Sequence, residues 1–162
     1  MSYEKFPNID SRHSPLSPDY PSCAEVEMTL HIFVDDDPEI VTDYLNLLPT
    51  KISRKGDVRR RKGSPSPNRK GSVCRVNRWE ISSSREVSSM DLRDHLDWLI
   101  EKLKPCEEAL WRLQNVPGIT MTVSCLWASR GSGGPVIWPE QMIGLARLNL
   151  EVALLFLGSD EE

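Results

Sequence analysis

The sequence has no Cys-x-x-Cys pair and no apolar run long enough to cross a bilayer. Its four cysteines, Cys23, Cys74, Cys106 and Cys125, stand 51, 32 and 19 positions apart. That spacing excludes a zinc knuckle, a dithiol redox motif and a disulfide framework. The longest apolar stretch is Val152–Leu157, far short of a membrane span. The opening residues, Met1 to Phe6, carry no apolar core of a secretory signal. No Gly-x-Ser-x-Gly is present, and Ser129–Gly134 lacks the Gly-Lys-Ser/Thr of a phosphate loop, having Trp138 and Pro139 where that helix would open. Acids gather at Asp35, Asp36, Asp37 and Glu39, but without the alternating positions and later glutamate of a calcium loop. They read as helix-capping residues, so neither metal nor cofactor is expected. What is present is ordinary for a folded domain: 162 residues, 39% hydrophobic, net charge −4. Together these features suggest a cytoplasmic protein of one domain.

Residues 1–23 hold Pro7, Pro15, Pro18 and Pro21 and no apolar periodicity, the pattern of a flexible tail. The folded part is expected over 24–158, with an acidic tail at 159–162. Val26, Met28, Leu30, Ile32 and Val34 alternate with polar partners, predicting a strand with one buried face. Asp37-Pro38-Glu39 opens a helix whose stripe is Ile40, Val41, Tyr44, Leu45 and Leu48, stopped by Pro49. Ser88-x-x-Asp91 resembles a capping box for the longest helix, with a stripe of Leu92, Leu96, Leu99, Leu103, Cys106, Leu110 and Leu113 interrupted at Pro105. The stripe is expected to face a sheet; a homodimeric coiled coil is the alternative. Ile119–Trp127 alternates as a further strand, Pro135–Trp138 reads as a short return strand, and Pro139-Glu140 opens a third helix. The last strand, apolar on both faces, is expected at the sheet centre. The order β-α-β-β-α-β-β-α-β gives an α+β fold: an antiparallel or mixed sheet with about three helices. The repeated strand-Pro-Glu-helix opening is compatible with two ferredoxin-like halves.

One segment differs in kind. Residues 51–71 hold nine cations against the single acid Asp57, a net +8, which leaves −12 for the rest. Its glycines and prolines make 59–71 a basic loop. Lys55, Arg59, Arg60, Arg61, Lys62, Arg69 and Lys70, with Arg78 and Trp79 close by, are the candidate contacts to an acidic protein or to nucleic acid phosphates. A second, polar candidate site consists of Asp36 and His95. His95 follows Asp91 by one helical turn, so a surface Asp–His pair is geometrically open. His31 reads as a lone structural histidine on a strand.

Several of these features together resemble a known family. Thr29–Val34, Asp37-Pro38-Glu39, Leu45, Pro49-Thr50, Lys55-Gly56-Asp57, Trp79-Glu80-Ile81, the helix from Asp91 through His95 and Leu96 to Leu103, and the closing strand are similar in order and spacing to the bacterial domain-of-unknown-function 4279 family, over roughly 27–157. The resemblance implies the fold and a bacterial origin, and it transfers no active site. The proline-rich tail and the basic loop depart from the pattern. With no catalytic motif, the expected role is non-enzymatic: an intracellular protein-binding domain, in an inhibitor-like or immunity-like form, with nucleic-acid association through 51–71 as the alternative. A protein partner is expected first, and no membrane is involved.

Overall fold

The structure, a computed structural model, describes residues 11–59 and 72–158. Twelve residues, Cys23–Val34, form β1, the middle of a five-stranded sheet. α1 (Glu39–Leu45) leads to the short β2 (Lys51–Ser53), and β3 (Val58–Arg59) pairs with β4 (Ser72–Val73) in a separate two-stranded ribbon. β5 (Asn77–Ser82), α2 (Leu92–Leu103), α3 (Glu107–Gln114), β6 (Ile119–Ser129), α4 (Pro139–Arg147) and β7 (Val152–Leu157) complete the chain. The sheet order is β2-β5-β1-β6-β7. All pairs are antiparallel except β6–β7, which is parallel and joined by the α4 crossover. The fold is α+β with a mixed sheet. The strands that open the two similar sequence units, β1 and β6, lie side by side at the centre of that single sheet.

The period-two pattern sets what each face carries. In β1, Val26, Met28, Leu30, Ile32 and Val34 are buried against the helices with Trp79 and Ile81 of β5 and Val123, Cys125 and Trp127 of β6. The leucine stripe meets them: Leu92, Leu96, Leu99, Leu103, Leu110 and Leu113 are all but inaccessible. It is core, so it is not the seam of a coiled coil. Pro105 breaks the stripe as expected, through a 3₁₀ turn at Lys104–Cys106 between α2 and α3.

Four local expectations are corrected. α1 ends at Leu45, because Asn46 turns left-handed at φ 48°, and Leu48 is consequently exposed rather than on a helical stripe. α2 starts with Asp91, not Ser88, as its N-cap. Pro135–Trp138 is not a strand: Pro135 has no N–H to offer a ladder, and the segment approaches α4 as irregular chain. The last strand is at the sheet edge, not the centre.

Residues 11–22, read from the sequence as part of a flexible tail, run over the helical side. Arg93 donates to the carbonyls of Ser14 and Pro15 at 2.6 and 2.9 Å. Ser17 N–H donates to Asp91, and Met90 N–H to the carbonyl of Pro18. Tyr20 meets Trp127 edge to face, with ring centroids 5.5 Å apart. Trp138 lies between two guanidinium groups, Arg12 at 4.5 Å and Arg93 at 4.4 Å from its ring centre. Arg12 also pairs with Glu140.

Candidate functional site

The basic segment is placed only in part. Arg60, Arg61, Lys62, Arg69 and Lys70 lie outside the described residues, and Arg59 is described by its backbone in β3 alone. Lys55 is exposed and its backbone N–H donates to Asn77 Oδ1. Two cations near it are engaged with acids. Arg54 reaches Asp37 and Glu39 at 3.2 and 3.1 Å, and Arg78 lies 3.3 Å from Glu80. Arg78 and Trp79 are neighbours on a strand and so point to opposite faces. Trp79 is fully buried, its indole N–H donating to Thr42 Oγ1, so the expected stacking platform is corrected to a core residue.

The Asp36–His95 site is not assembled either. Asp36 sits beyond β1, where its carbonyl accepts from Asn77 at the start of β5, whereas His95 bonds Ser83 just past the other end of that strand. Six strand residues hold them about 20 Å apart. His95 is buried on the helix. Its Nε2–H donates to the carbonyl of Ser89, and Nδ1 accepts from Ser83 Oγ, each at 2.7 Å. Ser83 Oγ in turn accepts from Met28 N–H. Burial depresses the His95 pKa, so the ring is held neutral and ties α2 to the sheet. Asp91 does not face His95. It caps α2 and pairs with Arg93 inside the protein, and both are essentially inaccessible.

The titratable cluster that the chain does assemble lies on the sheet face opposite the helices, and it centres on His31. Register sets His31 across from Glu80 in β5 and Thr122 in β6. His31 Nε2 is 2.8 Å from Ser124 Oγ, and Nδ1 is 2.9 Å from Glu80 Oε1. His31 and Arg78 both approach Glu80 at ion-pair distance but off the line of a good hydrogen bond. Burial pushes the Glu80 carboxyl up. The adjoining His31 ring and the charges of Arg78 and Lys51 outweigh that and hold it below its ordinary value. Beside them, Thr29 and Ser82 hydroxyls donate to Glu27.

Glu–His–Ser is the order of a nucleophile relay. Two features argue that this one orders a surface instead. The carboxylate is poorly aligned with the ring it would orient. β6 is also paired on both sides, Ser124 standing opposite Thr29 and Ala153, so its backbone N–H groups belong to ladders and not to an oxyanion hole. Sequence reasoning placed His31 on the polar face, but only the register of three strands reveals its partners.

The other unusual surface is β7. Among the described residues it has a strand neighbour on one side only, β6, and no described strand takes up the backbone donors and acceptors of its outer edge. Its side chains are open on both faces: Leu154, Leu155, Phe156 and Leu157 are 46%, 49%, 60% and 50% exposed. No charge or proline interrupts Val152–Leu157. Among the described residues, no helix is long and apolar enough to cross a membrane, and no side-chain group is arranged to hold a metal ion.

No curated protein and no solved structure matches this chain. A family model described as "Domain of unknown function (DUF4279)" matches residues 24–156, from the start of β1 to all but the last residue of β7. That match spans every strand and helix described above and agrees with the resemblance carried by the sequence motifs: the chain belongs to the DUF4279 family.

Proposed function

We propose that this domain acts by binding another protein, and that the partner adds an extended strand to the outer edge of β7. The observation that carries the reading is that edge: six uncharged apolar residues, five of them exposed, with a row of backbone groups that no described strand pairs. Edge strands are commonly blunted by lysine, proline or a bulge, and β7 has no lysine or proline. Strand addition uses the backbone for affinity and alternate side chains for selection. A second copy of the chain fits the edge less well, because two copies of net charge −4 repel one another. An inhibitor-like or immunity-like role is the form of binding we favour, since a small acidic domain with one sticky edge suits capture of a basic partner.

The test is a peptide selection. Random twelve-residue peptides displayed on phage are selected on the wild-type domain and re-bound to Leu155→Lys. Enriched peptides should have alternating apolar residues and should lose most binding to the variant, whose circular dichroism should be unchanged. Binders indifferent to Leu155→Lys would remove β7 as the docking edge. Dimerisation that sedimentation shows to depend on concentration and on Leu155 would assign the edge to a second copy instead.

A further inference from the structure

β6 outruns β7 at its N-terminal end. Ile119 to Thr122 pair with β1 alone, and β7 joins only at Val123, opposite Val152. The chain arrives from α4 through Asn149, which adopts a left-handed conformation at φ 53°. This leaves a cleft of about 700 Å³ between the end of α3, the start of β6 and the approach to β7. Its polar lining is Gln114, Asn115, Thr120, Asn149 and Glu151.

Each amide of this lining spends one of its two N–H donors on the protein. Gln114 Nε2 donates to the carbonyl of Leu148 at 2.9 Å, and Asn149 Nδ2 to Gln114 Oε1 at 2.6 Å. Asn115 Nδ2 donates to the carbonyl of Trp111 at 2.8 Å. The Oδ1 atoms of Asn115 and Asn149 and the exposed Glu151 carboxylate are left without a partner among the described residues. Arg112 and Arg147, on the flanking helices, are turned toward Glu108 and Glu107. The lining therefore offers both amide oxygens and amide N–H groups, and its one charged side chain, Glu151, makes it negative. Its fitting ligand is a cation with several donors, and a guanidinium, with five N–H groups in a planar fork, can satisfy separated acceptors at once.

We infer that this cleft binds the guanidinium of an arginine carried by the strand that docks along β7. The inference rests on the strand-docking reading. It adds the partner's chemistry: an apolar extended segment flanked by arginine at the end that meets Glu151. Position supports it, because Glu151 immediately precedes Val152, so the cleft lies at the N-terminal end of the docking edge.

Two probes test it on the full chain. The first is a labelled peptide of alternating valine and threonine ending in arginine, with a twin ending in glutamate, titrated by fluorescence anisotropy. The arginine peptide should bind about tenfold more tightly, equivalent to ~1.4 kcal/mol, and Glu151→Lys should abolish the preference. The second probe is N-acetylarginine amide against N-acetylnorleucine amide. Only the former should shift the side-chain amide resonances of Gln114, Asn115 and Asn149, saturably and with loss in Glu151→Lys. Equal binding of the two peptides, with no shift from arginine amide, overturns the arginine site and leaves strand docking standing. Shifts from arginine amide with no binding of either peptide uphold a guanidinium site and overturn strand docking.

Discussion

Arg93 and Asp91 are the most buried ion pair among the described residues, and the sequence disguised their pairing. The spacing of Asp91 to His95 suits two residues on one helical face. But Asp91 is the N-cap, with extended backbone at φ −92° and ψ 120°, so its side chain turns forward over the first turn. There it accepts from Arg93 Nε at 2.8 Å and from Arg93 Nη2 at 2.5 Å. Removing one partner strands the other charge in the interior. Asp91→Asn should lower the unfolding free energy by about 3–5 kcal/mol, measured by urea denaturation. The pH response follows from the same residues. Burial pushes Asp91 up, yet its hydrogen bonds from Arg93 and Ser17 prevail and depress its pKa, as the charges around Glu80 depress that one. A depressed carboxyl contributes stability above its unfolded pKa and loses it as pH falls through the folded value. His95 is depressed by burial, so its contribution is lost on acidification below the ordinary histidine range, before the carboxylates titrate. Urea midpoints taken between pH 7 and pH 3 should therefore fall in two stages, and Glu80→Gln should flatten the lower one.

At the scale of elements, alternation and helical stripes made β1, β6 and the leucine-lined helices legible, because burial on one face writes a period into the chain. β7 was misplaced for the same reason. A strand apolar on both faces is the mark of a buried strand, and nothing in its own residues says that no sixth strand among the described residues lies beyond it. The proline-rich segment was misread in the opposite sense. Its prolines exclude a helix but not a docked extended chain, whose carbonyls accept from Arg93 and whose Arg12 stacks on Trp138. Trp138→Ala should release this strap. Hydrogen exchange of Met90 N–H, which donates to the carbonyl of Pro18, should then accelerate while the β1 amides remain protected. The turn into β6 makes a tighter demand. Gly118 has φ 80°, and a Cβ there would lie 2.7 Å from Asp35 Oδ2. Gly118→Ala should cost about 1–3 kcal/mol in thermal unfolding, and Asp35→Ala should recover the steric part of that loss alone.

Over the whole molecule, charge and edge act together. The sheet ends on its β2 side in a strand of three residues and on its β7 side in one of six. Leu155→Lys leaves the core untouched and should change stability by no more than about 0.5 kcal/mol. Light scattering during heating should nevertheless show less aggregation for the variant, since a charge on the edge opposes unintended strand pairing. The surface proposed to bind a partner was the least legible part of the sequence. The basic segment stands out as composition, whereas an edge and a notch in a sheet exist only once register is set.

That register has a cost in time. β1 emerges early, yet both of its neighbours come much later, β5 at Asn77–Ser82 and β6 at Ile119–Ser129. While the chain is being synthesised, its longest strand has no lasting partner until β5 follows, and its other edge stays open until β6 is complete. The nascent protein thus passes through a long interval with β1 exposed, a stage at which a chaperone or a premature association would decide its yield.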